Sequence, residues 1–249
     1  MDMTGNTILI TGGGSGIGRA LAEALQARGN KVIISGRRAG ALAEVAAANP
    51  GMATATLDVS DPADITRFAT EIVAAHPGLN VVIHNAGIML AENLGAPGSD
   101  LELAEQTIAT NLLGPIRLNA ALLPHLLAQP RATVATVSSG LAFVPLVATP
   151  TYSATKAAIH SWSQALRHQL KDTSVEVIEI APPAVATDLM PGHAQNPNSM
   201  PLADYIAETM AQFEAGAAEN LTERVKFLRF AEARGDYAKV FAILNDGTH

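Results

Sequence analysis

The sequence predicts an α/β fold in a single domain spanning 1–249, with a parallel sheet covered on both faces by helices. Three observations predict it. Short apolar runs alternate with Ala- and Leu-rich segments of helical period. The first run ends in a glycine-rich turn that opens a helix. The 249 residues, 48% hydrophobic and 16% charged, supply a core of one-domain size.

The strand candidates are "TILIT" (7–11), "KVIIS" (31–35), "ATATL" (53–57), "NVVIH" (80–84), "ATVATVSS" (132–139) and "VEVIEIA" (175–181). Between them, helical periodicity marks Ile17–Arg28, Ala39–Asn49, Pro62–Ala75, Leu101–Ala128 and Thr151–Lys171. Strands that alternate with helices pair in parallel through right-handed crossovers, which places helices on both faces. After the sixth strand, "PPAVATDLMPGHAQNPNSMP" (182–201) breaks the pattern. A long irregular stretch inside a domain reads as a functional loop, and a substrate lid is expected over about 189–217. The C-terminal "TERVKFLRFAEARGDYAKVFAILNDGTH" reads as helical.

Composition narrows the function. A formal charge of −7 gives no basic footprint for phosphate backbones, so no nucleic-acid partner is expected. With no cysteine there is no disulfide, thiolate nucleophile or thiolate-held metal. None of the seven histidines has metal-ligand spacing to another, so no metal is expected. The sequence shows no membrane-length apolar run and no basic, hydrophobic leader, and a cytoplasmic location is the expectation.

"TGGGSGIG" (11–18) lies between the first strand and the first helix. In such a unit Gly12, Gly16 and Gly18 let backbone N–H groups approach a pyrophosphate, and the helix N-terminus adds partial positive charge. The spacing is not G-x-G-x-x-G, and Gly18-Arg19-Ala20 is not a P-loop ending. At the end of the second strand, "ISGRR" has Gly36 where an acidic residue often meets the ribose 2′-hydroxyl, followed by Arg37 and Arg38. A guanidinium pairs with a 2′-phosphate that a carboxylate would repel. The site therefore favours NADP(H) and leaves NAD(H) open.

Together "TGGGSGIG", "NAG" (85–87), "TN" ending at Asn111, Ser139 and "YSATK" (152–156) resemble the classical short-chain dehydrogenase/reductase motifs over about residues 5–190. Three tyrosines and five lysines in this chain predict only about 0.06 chance Tyr-x-x-x-Lys pairs. The resemblance implies a Rossmann-type, doubly wound sheet and hydride transfer between a nicotinamide and a carbonyl or alcohol. It assigns Asn111, Ser139, Tyr152 and Lys156 to catalysis. Residues four apart on a helix share a face, so the Lys156 ammonium is expected near the Tyr152 hydroxyl, lowering its pKa toward usefulness as an acid or base. By the same resemblance Ser139 holds the substrate oxygen and Asn111 holds a water linking Lys156 to bulk solvent. The implied dinucleotide contacts are Ser15, Ile17, Asp58, Val59, Asn85, Ala86, Gly87, Val185 and Thr187, with Tyr152 and Lys156 at the nicotinamide ribose. Asn85 is expected to do more to join strands than to touch the dinucleotide.

Two departures stand out. Pro182-Pro183 replaces the family's usual Pro-Gly and resembles a bacterial DltE-like oxidoreductase subgroup. The helical C-terminus is expected in place of the usual seventh strand. Because that strand helps build the family's tetramers, a dimer through helices 101–128 and 151–171 is expected. Leu141, Phe143, Val144, Met89, Leu90, Leu189 and Met190 are expected to flank an apolar pocket for a hydrophobic carbonyl or alcohol. A 3-oxoacyl-carrier-protein reductase and a non-catalytic NADP-sensing protein stand as alternatives.

Overall fold

The structure, a computed structural model, describes residues 1–96, 101–190 and 192–246. Pro191, within the expected lid, and residues 247–249 of the C-terminus lie outside the described residues. Among the described residues seven parallel strands form one sheet in the order β3-β2-β1-β4-β5-β6-β7. They are β1 (Thr7–Thr11), β2 (Lys31–Gly36), β3 (Ala53–Thr56), β4 (Leu79–His84), β5 (Ala132–Val137), β6 (Val175–Ala181) and β7 (Glu219–Leu221). The helices are α1 (Gly16–Gln26), α2 (Ala39–Ala48), α3 (Pro62–Ala75), α4 (Leu101–Ile108), α5 (Gly114–Leu127), α6 (Pro150–Gln169), α7 (Leu202–Glu214), α8 (Glu223–Arg229), α9 (Ala231–Arg234) and α10 (Tyr237–Asp246).

Successive strand residues point to opposite faces, and both faces are buried. Ile8, Ile10, Val32, Ile34 and Ile180 pack with Leu21 and Leu25 of α1, Val45 of α2 and Tyr205 and Phe213 of α7. On the other face Leu9, Ile33, Val82, Val134 and Val177 pack with Phe68 of α3, Leu118 and Leu122 of α5 and Leu166 of α6. Each fully buried Leu, Ile or Phe contributes about 1.5–3 kcal/mol. This two-sided burial is why the strands read as continuous apolar runs.

Three expectations need correction. "ENL" at 219–221 pairs with Glu179–Ala181, so a seventh strand is present and the helical C-terminus follows it. Three residues without alternation are too short for periodicity to reveal. The single helix expected over 101–128 is interrupted by a π segment, Ala109–Leu113, that contains Asn111. The expected lid divides. Residues 202–214 form α7, whose Tyr205, Met210 and Phe213 belong to the core, and Met200 is 3% exposed beside Val185. Met200 is thus an anchor, and the irregular part runs from Pro182 to Pro201.

Candidate active site

Strand order reverses between β1 and β4, and in open parallel sheets ligands bind outside the carboxyl ends of the strands at such a switch point. The glycine loop leaves the end of β1. A side chain at Gly13 would place its Cβ 2.5 Å from Ile34 Cγ2. Gly12, at φ +69, would bring one to 2.9 Å from the Ala86 backbone. Ser15 is the residue before α1 and makes no side-chain cap, so its hydroxyl leaves the first-turn N–H groups of α1 uncapped. Ile17 packs against the core beside Leu21. Across the loop, a Cβ at Gly16 would lie 3.6 Å from Thr187. Thr187 is thereby placed opposite the glycine turn, while Val185 is buried at its bridge to Met200.

Thr11 ties this loop to the next. Its hydroxyl accepts from the backbone N–H groups of Asn85 and Ala86, both at 3.0 Å, and Asn85 Nδ2 donates to the Thr11 carbonyl at 2.9 Å. Asn85 therefore joins β1 to β4, as its sequence reading expects. Asp58 accepts from the Ser60 N–H and hydroxyl at 2.9 and 2.6 Å, and its own N–H donates to Asp64. The Asp58 N–H and the Arg67 guanidinium hold the Asp64 carboxyl below its usual value against the opposing effect of burial. Val59 is buried, and its carbonyl is approached by the start of α5 so closely that a Cβ at Gly114 would lie 2.7 Å away. Of the two arginines, Arg38 reaches the loop: its guanidinium donates to Ser15 Oγ at 3.3 Å.

The four expected catalytic residues come together from three elements. Asn111 Oδ1 accepts from the Ile88 N–H at 2.9 Å, and its Nδ2 donates to the Ile88 carbonyl at 2.8 Å. Its side chain is thus a strut for the segment after β4. A Cβ at Gly87 would fall 3.3 Å from Asn111 Oδ1 and 3.8 Å from Lys156 Nζ, so a hydrogen there keeps the three together. Ser139 follows β5; its Oγ accepts from the Leu141 N–H at 3.1 Å, and its side chain acts on the Tyr152 phenol. Tyr152 and Lys156 both lie on the buried face of α6.

The electrostatics differ from expectation. Burial pushes the Tyr152 phenol up to about 12, with Ser139 acting in the opposite direction. Lys156 lies 5.4 Å from the Tyr152 ring centroid, but its ammonium donates to the Val137 carbonyl at 2.7 Å. Burial brings Lys156 down to about 8. The phenol is held neutral because desolvation outweighs the opposing effect of the Ser139 side chain.

The pocket walls also shift. Val144 is fully buried against Ala231 and Val240, and Phe143 packs beside Leu221 and Val225, so both face the C-terminal helices. Met89 is buried, while Leu189 is 40% exposed and Leu90, Leu141 and Met190 are partly buried. Sequence reasoning missed Thr11, Thr155, which receives Asn111 Nδ2 at 3.5 Å, and Glu92. Glu92 accepts from the Thr151 N–H at 3.0 Å and hydroxyl at 2.7 Å, fixing the start of α6. Their signal was only proximity to the motifs. Among the described residues, no helix is long and apolar enough to cross a membrane.

A family profile described as short chain dehydrogenase matches residues 6–198. The chain is 41% identical over 249 residues to a Bacillus subtilis (strain 168) protein described as "Uncharacterized oxidoreductase DltE", covering 98% of each. A Burkholderia cenocepacia J2315 short chain dehydrogenase solved in complex with NADP superposes with a TM-score of 0.84 at 25% identity, over 98% of this chain and 99% of that one. A Burkholderia phymatum short chain dehydrogenase/reductase in complex with NAD shares the fold, with a TM-score of 0.83 at 21% identity and 96% of each chain covered.

Proposed function

The chain belongs to the short-chain dehydrogenase family of oxidoreductases, and from that premise we propose that it transfers hydride between NADP(H) and a hydrophobic ketone, aldehyde or secondary alcohol. The observation that carries the reading is the convergence of Ser139, Tyr152 and Lys156, with Lys156 beside Gly87, in a fold whose relatives are oxidoreductases.

The residues present fit a dinucleotide. Close backbone approach at Gly12, the packing of Gly13 onto Ile34, and a first helical turn that Ser15 leaves uncapped suit a cradle for a pyrophosphate. Gly12, Ser15, Gly16, Ile17 and Gly18 would hold it, with Asp58 and Val59 toward the adenine, Asn85, Ala86 and Gly87 along the middle, and Val185 and Thr187 toward the nicotinamide. Arg38, reaching Ser15, and the neighbouring Arg37 favour a 2′-phosphate, and Gly36 puts no carboxylate there to oppose it. When bound, the nicotinamide supplies or accepts the hydride.

The chain's own groups manage the proton. In the reducing direction the neutral Tyr152 phenol donates to the carbonyl oxygen, and burial keeps it protonated until that moment. The Ser139 hydroxyl, fixed by the Leu141 N–H and acting on Tyr152, would hold that same oxygen in place. Lys156, near 8, carries a proton at neutral pH and returns it toward Tyr152. Asn111 fixes the segment at Ile88 alongside Gly87 and Lys156.

Leu189 and Met190, on the irregular stretch before the Met200 anchor, form a lid that excludes water from the hydride path. A groove between α4 and α6, lined by Ile108, Leu112, Pro150 and Ala154, suits a second copy of the chain, consistent with a dimer. The protein acts in the cytoplasm on small molecules.

The test is Tyr152→Phe. Consumption of NADPH over a panel of hydrophobic aldehydes and ketones should fall at least ~10²-fold, the usual size of positioned acid-base catalysis, with dinucleotide affinity nearly unchanged. Near-wild-type turnover by the folded variant would remove Tyr152 from the mechanism.

A further inference from the structure

A polar stripe runs along the buried face of α6. Beyond Lys156, Ser163 Oγ lies 2.7 Å from Thr136 Oγ1, and Arg167 Nε donates to the Val177 carbonyl at 2.9 Å. At the centre of this stripe stands Glu179 of β6, fully buried between the sheet and α6. Its Oε1 accepts from Ser138 Oγ at 2.5 Å, and His160 Nδ1 lies 3.0 and 2.8 Å from its two oxygens. His160 Nδ1 is also 3.8 Å from Glu219, whose Oε1 accepts from Arg229 Nε at 2.9 Å. The Phe143 ring stands edge-on to His160 with centroids 4.9 Å apart, under the Arg229 guanidinium. Gln164 Nε2 meets the far nitrogen of His160 at 3.1 Å.

A buried carboxylate is a poor route to stability. Its desolvation consumes most of what its partners return, and an apolar replacement of similar volume is often neutral or better. What such a group does supply is one hydrogen-bonding register. The partners of Glu179 sit on the two segments that bear the reacting hydroxyls. Ser138 directly precedes Ser139, and His160 lies one turn beyond Lys156 and two beyond Tyr152. The Ser138 N–H and Gly140 N–H are in turn pinned to the Ile180 and Pro182 carbonyls, both at 2.8 Å.

We propose that Glu179 is a positioning residue that, through Ser138 and His160, holds the Ser139 hydroxyl in register with the Tyr152 hydroxyl. The inference rests on the reading of Ser139 and Tyr152 as the reacting pair. The alternative use of His160, Glu179 and Glu219, whose ligand atoms lie within 4.8 Å of one another, is a metal centre. Arg229 already neutralises Glu219, and the imidazole of His160 already points its Nδ1 at Glu179, so the internal groups satisfy the carboxylates without an ion.

The experiment compares Glu179→Gln and Ser138→Ala, each alone and on a Ser139→Ala background. It measures kcat and KM with NADPH and the best-turned-over hydrophobic carbonyl of the panel, and NADPH affinity by fluorescence titration. Each single variant should lower kcat by about tenfold or more while NADPH affinity stays within about twofold, because misplacing a reacting group costs rate before it costs binding. On the Ser139→Ala background the further loss should shrink below about twofold, since a residue acting through Ser139 has nothing left to position. Ser138→Ala removes one hydroxyl from a segment otherwise held by backbone bonds, so the test survives even if Glu179→Gln folds poorly. Equal losses in both backgrounds, or no loss in either, would overturn the proposal. Full turnover by Ser139→Ala alone would instead overturn the reading of the reacting pair, and the proposal with it. Tight Zn²⁺ uptake abolished by His160→Ala would also overturn it, in favour of a metal centre.

Discussion

Replacing Lys156 with methionine removes one buried ammonium while keeping the length of the side chain, and the effect is readable without any substrate. Lys156 is 5% exposed, its Nζ donates to the Val137 carbonyl at 2.7 Å, and burial holds it at about 8 against an ordinary value of 10.5. The folded-state value lies below the unfolded one, so between pH 8 and 10.5 the unfolded chain binds a proton that the folded chain lacks. Stability rises with pH wherever the unfolded state holds more protons. The wild type therefore gains stability across that window, and below it both states are protonated and the contribution is constant. At about 1.4 kcal/mol per pH unit, the gain is about 3 kcal/mol. Tyr152 acts oppositely above pH 10, because its folded value is raised to about 12, but it is present in both proteins and largely cancels in their difference. Urea denaturation of wild type and Lys156→Met across pH 8 to 10.5 measures that difference. It should move by about 3 kcal/mol in favour of the wild type as pH rises. A difference that stays flat would mean that Lys156 is hydrated or differently paired, and the charge reading of the site would fail.

The other predictions concern the sheet and the dinucleotide cradle. A methyl on Gly18 would overlap the Gly12 carbonyl and the Asn85 amide, so Gly18→Ala should cost about 1–3 kcal/mol and lower Tm by about 2–4 °C per kcal/mol, with weakened NADPH binding; an unchanged melt and affinity would show that the loop yields. His84, on β4, is buried with Nε2 unpartnered among the described residues, and burial lowers it to about 4 from 6.5. Stability should accordingly fall by about 3 kcal/mol as pH drops through that window, and His84→Leu should remove that part of the acid sensitivity, as chemical denaturation at the two ends would reveal. A Cβ at Gly36 would have Leu42 no nearer than 3.8 Å, so the double variant Gly36→Asp with Arg37→Ala should fold and shift preference toward NADH by about tenfold or more. A wild type that already favours NADH would contradict the role given to these arginines.

How much was legible follows from what each signal depends on. Five strands announced themselves as apolar runs because both of their faces are buried, whereas the edge strand β3 is a short Ala-Thr alternation, half-buried on one face and exposed on the other. The seventh is three residues whose place depends on backbone pairing to Glu179–Ala181, and no local pattern carries that. Tyr152 and Lys156 were legible because helical spacing puts them on one face. The orientation of the Lys156 ammonium was not, since it depends on where the Val137 carbonyl sits. Arg38 rather than Arg37 reaches Ser15 because it directly precedes α2, a matter of side-chain direction that "GRR" does not disclose. Glu179 did leave a trace, a charge in the middle of "VEVIEIA", but its partners come from α6 and β5 and required the fold.

The π segment at Ala109–Leu113 has a consequence for how this helix can change over time. A π turn carries one residue more than the α-helix it interrupts, and each residue advances an α-helix by about 100°. The stretch before it and the stretch after it are therefore out of phase: Ile108 is 38% exposed, while Thr110 and Asn111 turn inward to meet the segment after β4. Substitutions cannot erase that offset. Only a deletion can, and one residue lost between 109 and 113 would rotate all of α4 about its axis relative to α5 while leaving every residue type in place. The length of this segment thus sets the phase of the helix, and Asn111 keeps its inward place only while that length is kept.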